Sequence, residues 1–217
     1  CGTALEVNMQ KLPASTQNRN FERDGFLLAR GLWDPAELKD SIPEKSGQYN
    51  YGDGKSKNFT FNPEENQVNG SASRYWHPKY RQIHTGIRQE IEKRIGRKLF
   101  NTYYYDRFYF PGQELAKHVD RDACEISVTV HVSTNLKGAD ADWPICIESP
   151  DGREHKVSLK PGDGLIYKGC HQNHWREKMP GPTGWRAFGR RLYYHQIFFH
   201  YCLQDGYRAH CAWDRAR

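Results

Sequence analysis

The sequence predicts a mainly β domain, a double-stranded β-helix or jelly roll that is supported by N-terminal helices. An amphipathic helical pattern occupies residues 78–96, whereas the chain from residue 99 onward consists of short apolar segments separated by turn signals. Aromatic residues make up 13% of the chain, and they suit the half-buried surface of a pleated sheet. Short strands at regular spacing are typical of a sandwich or barrel. We predict the jelly-roll form of this architecture, which is also described as cupin-like.

The first third of the chain carries the signals of short elements. Residues 20–33 predict a helical turn followed by an apolar strand. In residues 34–42, Asp34 is a candidate N-cap and Pro35 stands at the first helical position, so a helix is expected to begin there. Residues 44–73 are rich in Gly, Asn and Ser and predict a long loop, which in a compact domain is usually functional or mobile.

The region after this loop predicts one longer helix and then a series of strands. The apolar residues of the helix recur at steps of three and four and form one stripe: Tyr80, Ile83, Ile87, Ile91 and Ile95. We predict strands at residues 100–110, 115–120, 124–133, 143–149, 154–160, 163–168, 172–176 and 190–203. Turn signals separate them, with Asp-Gly in residues 149–154 and Pro-Gly-Asp-Gly in residues 160–164.

The length of 217 residues fits one domain with a sizeable core. We expect residues 1–98 to support a β-helix core at residues 99–203, followed by a tail at residues 204–217. The net charge of +6 is modest and dispersed, which argues against nucleic acid as a partner. No run of about 18 apolar residues occurs, so no membrane span is expected. The six scattered cysteines favour reduced thiols in a cytoplasmic protein.

Two strong metal-ligand side chains lie at the second predicted strand of the core. His118 and Asp120 are separated by one residue, and strand side chains alternate between the two faces, so both point the same way and can reach one cation. A third ligand is expected from a later strand. His171 and His174 are the candidates, and His174 is favoured because it begins a new strand after a turn. Two histidines and one carboxylate suit non-heme Fe(II), since they leave coordination positions open.

These residues resemble a known family. Residues 108–122, FYFPGQELAKHVDRD, resemble the Y-x-P-G…H-x-D region of the Fe(II)- and 2-oxoglutarate-dependent oxygenases. Residues 21–32 are similar to the N-terminal segment of the prolyl-hydroxylase-like and phytanoyl-CoA-hydroxylase-like branches, and residues 161–177 resemble a prolyl-hydroxylase-like subgroup. The resemblance covers roughly residues 21–203. It implies a double-stranded β-helix fold and an oxygenase activity.

Carried over to the matching positions, the resemblance implies three iron ligands, which are His118, Asp120 and His174. It also implies a basic residue that holds the distal carboxylate of 2-oxoglutarate, for which the candidates are Arg190, Arg191 and Arg176. A tyrosine of the first barrel strand is expected to help hold this cosubstrate, and three tyrosines share one face there: Tyr103, Tyr105 and Tyr109.

The resemblance further implies a reaction that consumes 2-oxoglutarate and O2 and releases succinate and CO2. Asp120 retains the carboxylate that related halogenases replace, which favours hydroxylation of an unactivated C–H bond, or another oxidation such as desaturation or ring formation, over halogenation. Arg121 and Asp122 follow the motif and are expected to contact a small polar substrate such as an amino acid derivative. A peptidyl prolyl hydroxylase is one alternative, and a non-catalytic, cupin-like metal-binding protein is the other.

Overall fold

The computed structural model describes residues 13–40, 60–61, 67–68, 71–181 and 192–214. Its helices and strands follow in chain order as α1 (Ala14–Asp24), β1 (Phe26–Ala29), α2 (Pro35–Leu38), β2 (Thr60–Phe61), β3 (Ala72–Tyr75), α3 (Arg81–Ile95), β4 (Leu99–Tyr109), β5 (Leu115–His118), β6 (Ile126–Thr134), β7 (Ile145–Glu148), β8 (Glu154–Val157), β9 (Gly164–Tyr167), β10 (His174–Arg176) and β11 (Tyr194–Leu203). Short 3-10 helices lie at Pro78–Tyr80, Asp122–Cys124, Gly138–Asp142 and Tyr207–Cys211. Among the described helices, none is both long and apolar enough to cross a membrane.

Two antiparallel sheets face each other and form the predicted β-helix. The larger sheet has the strand order β1-β9-β6-β11-β4-β3-β2, and the smaller sheet has the order β5-β10-β7-β8. Apolar side chains join the sheets in one buried cluster, with Ile145 and Ile147 of the smaller sheet against Leu165 and Tyr167 of the larger sheet. Strands that are far apart in sequence are therefore neighbours, and β5 lies beside β10.

The strands of the core confirm the sequence prediction closely. β4 to β11 correspond one to one to the eight predicted strands, with ends that differ by a few residues. The Asp-Gly turn joins β7 to β8, and the backbone N–H of Ser149 donates to the carbonyl of Arg153 across it at 2.9 Å. The last strand begins at Tyr194 rather than at residue 190, and residues 190–191 lie outside the described residues.

The N-terminal helices cover the outer face of the larger sheet. The predicted stripe of α3 is confirmed, because its isoleucines are buried against alternate residues of the sheet, among them Val128, Val130, Ile197 and Phe199. α3 ends where Gly96 adopts a left-handed conformation with φ 66°, which glycine tolerates without steric cost. α1 begins at Ala14 and is longer than the predicted helical turn. Most residues of α1 are polar, and Phe21 is its main buried side chain. The helix therefore shows little of the apolar periodicity by which a helix is recognised in a sequence.

The long loop predicted at residues 44–73 is only partly a loop. β2 lies inside this range and pairs with β3, which begins at Ala72 and pairs in turn with β4. β3 was not predicted as a strand because its sequence is polar. Its charged residue Arg74 is buried in an ion pair, and the sequence alone does not show that partner. Residues 44–59, 62–66 and 69–70 of the predicted loop fall outside the described residues. The Gly and Pro content of residues 177–189 predicts a further loop that is a candidate lid, and residues 182–189 of it also lie outside the described residues.

A buried ion pair joins the outer face of the larger sheet to the N-terminal region. The carboxylate of Asp106 accepts from Arg74 Nε at 3.0 Å and from Nη2 at 2.8 Å, and His195 Nε2 lies 3.0 Å from the same carboxylate. Arg74 also donates to Asp40 at 2.9 Å. Burial raises the pKa of Asp106, but Arg74 and His195 outweigh burial and lower it overall. The ionised carboxylate therefore holds together β3, β4, β11 and the chain after α2.

Candidate metal centre

The pairing of β5 with β10 brings two histidines side by side. His118 and His174 are direct Cα partners in the register of these strands, and their ring centroids are 4.3 Å apart. Asp120 follows the end of β5, and its backbone N–H donates to the carbonyl of Gly169 at 2.8 Å. One ligand atom of each of the three residues lies within 4.8 Å of the other two. The fold thus assembles two imidazoles and one carboxylate on one side of the smaller sheet.

The hydrogen bonds of the two imidazoles decide which nitrogen faces the cluster. His118 Nδ1 lies 2.7 Å from the carbonyl of Ala116, and His174 Nδ1 lies 3.0 Å from the carbonyl of Gln172. A carbonyl only accepts, so Nδ1 carries the proton in both rings. In the neutral ring, which is the form that binds a metal, each Nε2 presents a lone pair, and each Nε2 lies 3.6 Å from Oδ1 of Asp120. This tautomer is the one that a metal-binding histidine needs.

The charge state and exposure of the cluster also suit a cation. Burial alone raises the pKa of Asp120, but the positive charge of His174 and the Nε2–H of His118, present when these rings are protonated in the absence of metal, outweigh burial and hold the pKa well below its usual range. The carboxylate is therefore ionised at neutral pH. The side chain of His118 is 21% exposed and that of Asp120 is 12% exposed, whereas His174 is 3% exposed. The cluster is thus anchored on one side and open on the other.

The two histidines that the sequence offered as a third ligand lie in different surroundings. His174 is buried in β10 beside His118. His171 is exposed in the preceding turn and lines a small cleft with Phe21 and Lys168. The geometry therefore groups His174, and not His171, with His118 and Asp120.

A buried guanidinium lies two residues beyond His174 on the same face of β10. Arg176 Nη1 donates to the carbonyl of Trp143 at 2.6 Å, and the guanidinium carbon lies 4.5 Å from the ring centroid of Trp143 and 4.9 Å from that of Tyr194. Nε and Nη2 of Arg176 have no hydrogen-bond partner among the described residues. An unpaired buried guanidinium is costly, so these donors indicate a place for an anion.

The end of the barrel around Arg176 holds further polar atoms. His131 Nδ1 lies 2.7 Å from the carbonyl of Leu159 and 2.8 Å from the hydroxyl of Tyr194. The other nitrogen of this ring, Nε2, has no hydrogen-bond partner among the described residues. Burial chiefly lowers the pKa of His131 to about 4, and nearby Arg176 lowers it further, so the ring is neutral at pH 7. The sequence places His131 on an inward strand position but shows no ligand role for it.

The three tyrosines that share one face of β4 line the interior as expected. They belong to one buried cluster with Tyr194 and Phe198 of β11: Tyr103, Tyr105 and Tyr109. Tyr105 stacks on Phe198 with centroids 4.6 Å apart, and Tyr103 stacks on His200 at 4.5 Å. Their packing forms an aromatic wall on the inner face of the larger sheet.

The remaining predicted site residues lie outside this cluster or have partners already. Arg121 forms an ion pair with Asp214, and Arg208 donates to Asp122 at 2.7 Å. The guanidinium of Arg121 also lies 4.5 Å from the ring centroid of Tyr103, near the aromatic wall. The two other predicted candidates for the cosubstrate carboxylate lie outside the described residues: Arg190 and Arg191.

A second group of polar side chains lies behind the carboxylate, and no sequence pattern predicted it. One ligand atom each of Asp120, Cys124 and His200 lies within 4.8 Å of the others, and Ser127 bonds to both Asp120 and His200. The alternation of β6 and β11 places Ser127 and His200 on inward positions. Which side chains meet there depends on strand pairing across 73 residues, which no local pattern reveals.

Comparison with known proteins shows the fold of the chain. No family model and no curated protein matches the sequence. Among solved structures, a 2OG-Fe(II) oxygenase family oxidoreductase from Burkholderia pseudomallei matches with a TM-score of 0.61 at 11% identity, over 94% of each chain. A prolyl hydroxylase from Trichoplax adhaerens, in complex with a hypoxia-inducible-factor peptide fragment, matches with a TM-score of 0.58 at 11% identity, over 93% of this chain and 96% of that chain.

A third solved structure gives the same result. A prolyl-4-hydroxylase from Pseudomonas putida matches with a TM-score of 0.57 at 12% identity, over 86% of this chain and 98% of that chain. These likenesses span nearly the whole of each matched protein. They confirm the predicted double-stranded β-helix fold for this chain.

Proposed function

We propose that the protein is an Fe(II)- and 2-oxoglutarate-dependent dioxygenase that hydroxylates an unactivated C–H bond. The observation that carries this proposal is the cluster of His118, Asp120 and His174, in which both Nε2 atoms lie 3.6 Å from one carboxylate oxygen. Two nitrogen donors and one oxygen donor on one side of a metal leave other positions open, as oxygen-activating non-heme iron requires. The fold shared with known oxygenases supports the same function.

The donor set fits the iron, and the barrel interior fits the cosubstrate. Bound Fe(II) would supply the oxidative decarboxylation of 2-oxoglutarate by O2, which yields succinate, CO2 and an oxidant for the substrate. We assign the distal carboxylate of 2-oxoglutarate to Arg176, whose Nε and Nη2 lack partners among the described residues. Two residues along a strand span roughly 7 Å, which suits a five-carbon dicarboxylate between His174 and Arg176. The neutral His131 and the hydroxyl of Tyr194 complete this polar end.

The remaining interior residues exclude water and orient the ligands. Tyr105, Phe198 and Tyr103 are nearly fully buried and form the apolar wall of the chamber. We expect the tyrosines of β4 to pack along the cosubstrate. A closed aromatic wall limits unproductive side reactions of a strong oxidant. The protein would thus orient the reactants and exclude water, while the metal and the cosubstrate would provide the redox chemistry.

The substrate that we propose is a small polar molecule such as an amino acid derivative. Arg121 and Asp122 follow directly after the metal ligand Asp120, and Arg121 borders the aromatic wall at Tyr103. Arg121 now pairs with Asp214, and Asp122 pairs with Arg208. If a substrate took the place of these partners, its carboxylate would pair with Arg121 and its ammonium group with Asp122, as a zwitterion allows. The direct test is succinate release from 2-oxoglutarate by the Fe(II)-loaded protein, with free amino acids and prolyl peptides compared as stimulants. A product heavier by one oxygen atom supports hydroxylation, and stimulation by prolyl peptides alone would reverse the choice of substrate.

The assignment of the third metal ligand predicts different results for two neighbouring histidines. We expect His174→Ala to remove nearly all 2-oxoglutarate turnover and to weaken Fe(II) binding, because it deletes one of three ligands. His171→Ala is the matched control and should keep both properties, because His171 is exposed in the turn. Metal titration and succinate release check both. Full activity of His174→Ala, with loss in His171→Ala, would contradict the assignment.

The assignment of the cosubstrate carboxylate predicts a specific loss of 2-oxoglutarate affinity. Arg176→Met removes two charge-assisted hydrogen bonds, worth about 3 kcal/mol together, so we expect the KM for 2-oxoglutarate to rise about 100-fold. Arg190→Met and Arg191→Met serve as controls and test the other two candidates. Fe(II) affinity should change little in all three variants. A large KM effect in Arg190→Met or Arg191→Met, with none in Arg176→Met, would move the site.

We also propose a cytoplasmic location. The described cysteines are all free thiols: Cys124, Cys146, Cys170, Cys202 and Cys211. Free thiols in this number suit a reducing compartment, which supports the proposal.

A further inference from the structure

A chain of hydrogen bonds lies behind the carboxylate of the candidate metal centre. Ser127 Oγ lies 3.0 Å from Oδ2 of Asp120 and 2.9 Å from Nδ1 of His200. The same hydroxyl lies 3.2 Å from the carbonyl of Cys124. Ser127 and His200 are buried, and they come from adjacent inward positions of β6 and β11. The chain therefore links the interior of the larger sheet to the carboxylate that follows β5.

The proton count fixes the direction of these hydrogen bonds. The carboxylate of Asp120 and the carbonyl of Cys124 only accept, and Ser127 has a single proton to donate. If Ser127 donated that proton to His200, the carboxylate of Asp120 and the carbonyl of Cys124 would both face the oxygen of Ser127, with no proton between them. His200 Nδ1–H therefore donates to Ser127, and Ser127 donates onward to Oδ2 of Asp120. His200 is thereby held as its Nδ1–H tautomer.

The backbone of Gly169 closes the space around this chain. A Cβ at position 169 would lie 2.6 Å from Oδ2 of Asp120 and 2.7 Å from Oγ of Ser127, closer than real contacts allow. The carbonyl of Gly169 also accepts from the backbone N–H of Asp120 at 2.8 Å. The carboxylate is consequently fixed by its own backbone on one side and by Ser127 on the other.

We propose that Ser127 and His200 are positioning residues that hold Asp120 as a one-oxygen metal ligand. The inference rests on the proposed function of this centre. With Oδ2 engaged by Ser127, only Oδ1 faces the Nε2 atoms of His118 and His174, each at 3.6 Å. A carboxylate that bound through both oxygens would occupy a coordination position that the cosubstrate or O2 needs. This chain of hydrogen bonds from His200 through Ser127 to Asp120, here called the relay, thus holds the carboxylate in place and leaves the other coordination positions of the metal free.

The same residues could be considered a second metal site, and their contacts argue against it. Cys124 lies within 4.8 Å of Asp120 and His200, but its thiol is paired with the hydroxyl of Tyr103 at 3.2 Å. Burial raises the pKa of this thiol well above its usual value, so it remains protonated at pH 7. A second metal would have to displace a thiol proton and to disrupt the hydrogen bonds of Ser127. The positioning role requires neither.

Three variants test the relay, with Co(II) and Fe(II) affinity of the apo protein as the readout. Ser127→Ala removes the last donor, and we expect metal affinity to fall about 10- to 100-fold. His200→Asn keeps an amide nitrogen at the position of Nδ1 and should retain affinity within about threefold. His200→Gln places its amide nitrogen at the position of Nε2 and should resemble Ser127→Ala. The thermal midpoints of the metal-free variants separate this effect from general unfolding.

The outcomes distinguish this inference from the proposed function. Weak binding in Ser127→Ala and His200→Gln, with retention in His200→Asn, supports the relay. Wild-type affinity in Ser127→Ala overturns the relay and leaves the metal centre intact. Absence of metal binding by the well-folded wild-type protein overturns the proposed function itself. A second bound metal equivalent that disappears in Cys124→Ser also overturns the relay, because the cluster is then a metal site.

Discussion

Replacement of Asp120 by alanine is expected to abolish turnover of 2-oxoglutarate and to weaken Fe(II) binding more than any other single change in the chain. Asp120 supplies the negative charge and the oxygen donor of the cluster, and its removal leaves two neutral imidazoles. Loss of an outer partner of a metal ligand costs roughly 100-fold at most, and loss of the ligand itself should exceed this. Metal titration followed by succinate release measures both effects.

Asp122→Ala is the matched control for this prediction. Asp122 is two residues away and pairs with Arg208 rather than with the histidines. We expect this variant to bind Fe(II) like the wild type, whatever its effect on substrate. The thermal midpoint of each metal-free variant should be checked as well, because the cluster is one part of a packed barrel. Fe(II) binding and turnover by a folded Asp120→Ala variant would show that the metal site is wrongly assigned.

The second large effect is expected in the buried ion pair on the outer face of the larger sheet. Asp106→Asn should lower the free energy of unfolding by about 3–5 kcal/mol, because it leaves the buried guanidinium of Arg74 without its main counter-charge. Both side chains are nearly fully buried, and they are 2.8 Å apart. For a domain of this size the thermal midpoint should fall by roughly 6–20 °C. Thermal or chemical unfolding of the metal-free protein measures this change.

An exposed ion pair provides the control for the buried one. Arg97 and Asp205 are also 2.8 Å apart, but their side chains are 40% and 68% exposed. Asp205→Ala should therefore cost less than about 1 kcal/mol. Equal destabilisation in the two variants would contradict the account of the buried pair, as would an unchanged midpoint in Asp106→Asn.

The same ion pair predicts how stability depends on pH. The folded state lowers the pKa of Asp106, so its contribution is present above the unfolded pKa of about 4 and is lost as pH falls further. The difference between the wild type and Asp106→Asn should therefore be constant from about pH 6 to 7 and should shrink below about pH 4. Unfolding curves at several pH values check this. A difference that grows as the pH falls would contradict the sign of the pKa shift.

Local patterns in the sequence account for much of the fold and for the grouping of the candidate metal ligands. The alternation of strand side chains predicted that His118 and Asp120 point to one face, and the structure places them together with His174. The apolar stripe of α3 and the Asp-Gly turn between β7 and β8 could also be predicted from the sequence, because each depends on residues close together in the chain. The eight core strands follow from the same short-range signals.

Features that depend on pairing between distant strands could not be predicted. β3 looked like part of a loop because Arg74 is charged, and its burial depends on Asp106, 32 residues away. Arg176 was one candidate among three, and only the packing of β10 against Trp143 and Tyr194 reveals that two of its donors lack a partner among the described residues. The contact of Ser127 with His200 requires the register of β6 against β11.

The measurement that tests the central claim most directly is an anaerobic optical titration of the protein with Fe(II) and then 2-oxoglutarate. We predict the weak visible charge-transfer band of a keto acid chelated to iron, saturating at one equivalent of metal. The band should be absent in Asp120→Ala, and in Arg176→Met it should require much more 2-oxoglutarate. Absence of the band in well-folded, iron-loaded wild-type protein would contradict the assignment of an oxygenase and would favour a metal-binding protein without this activity.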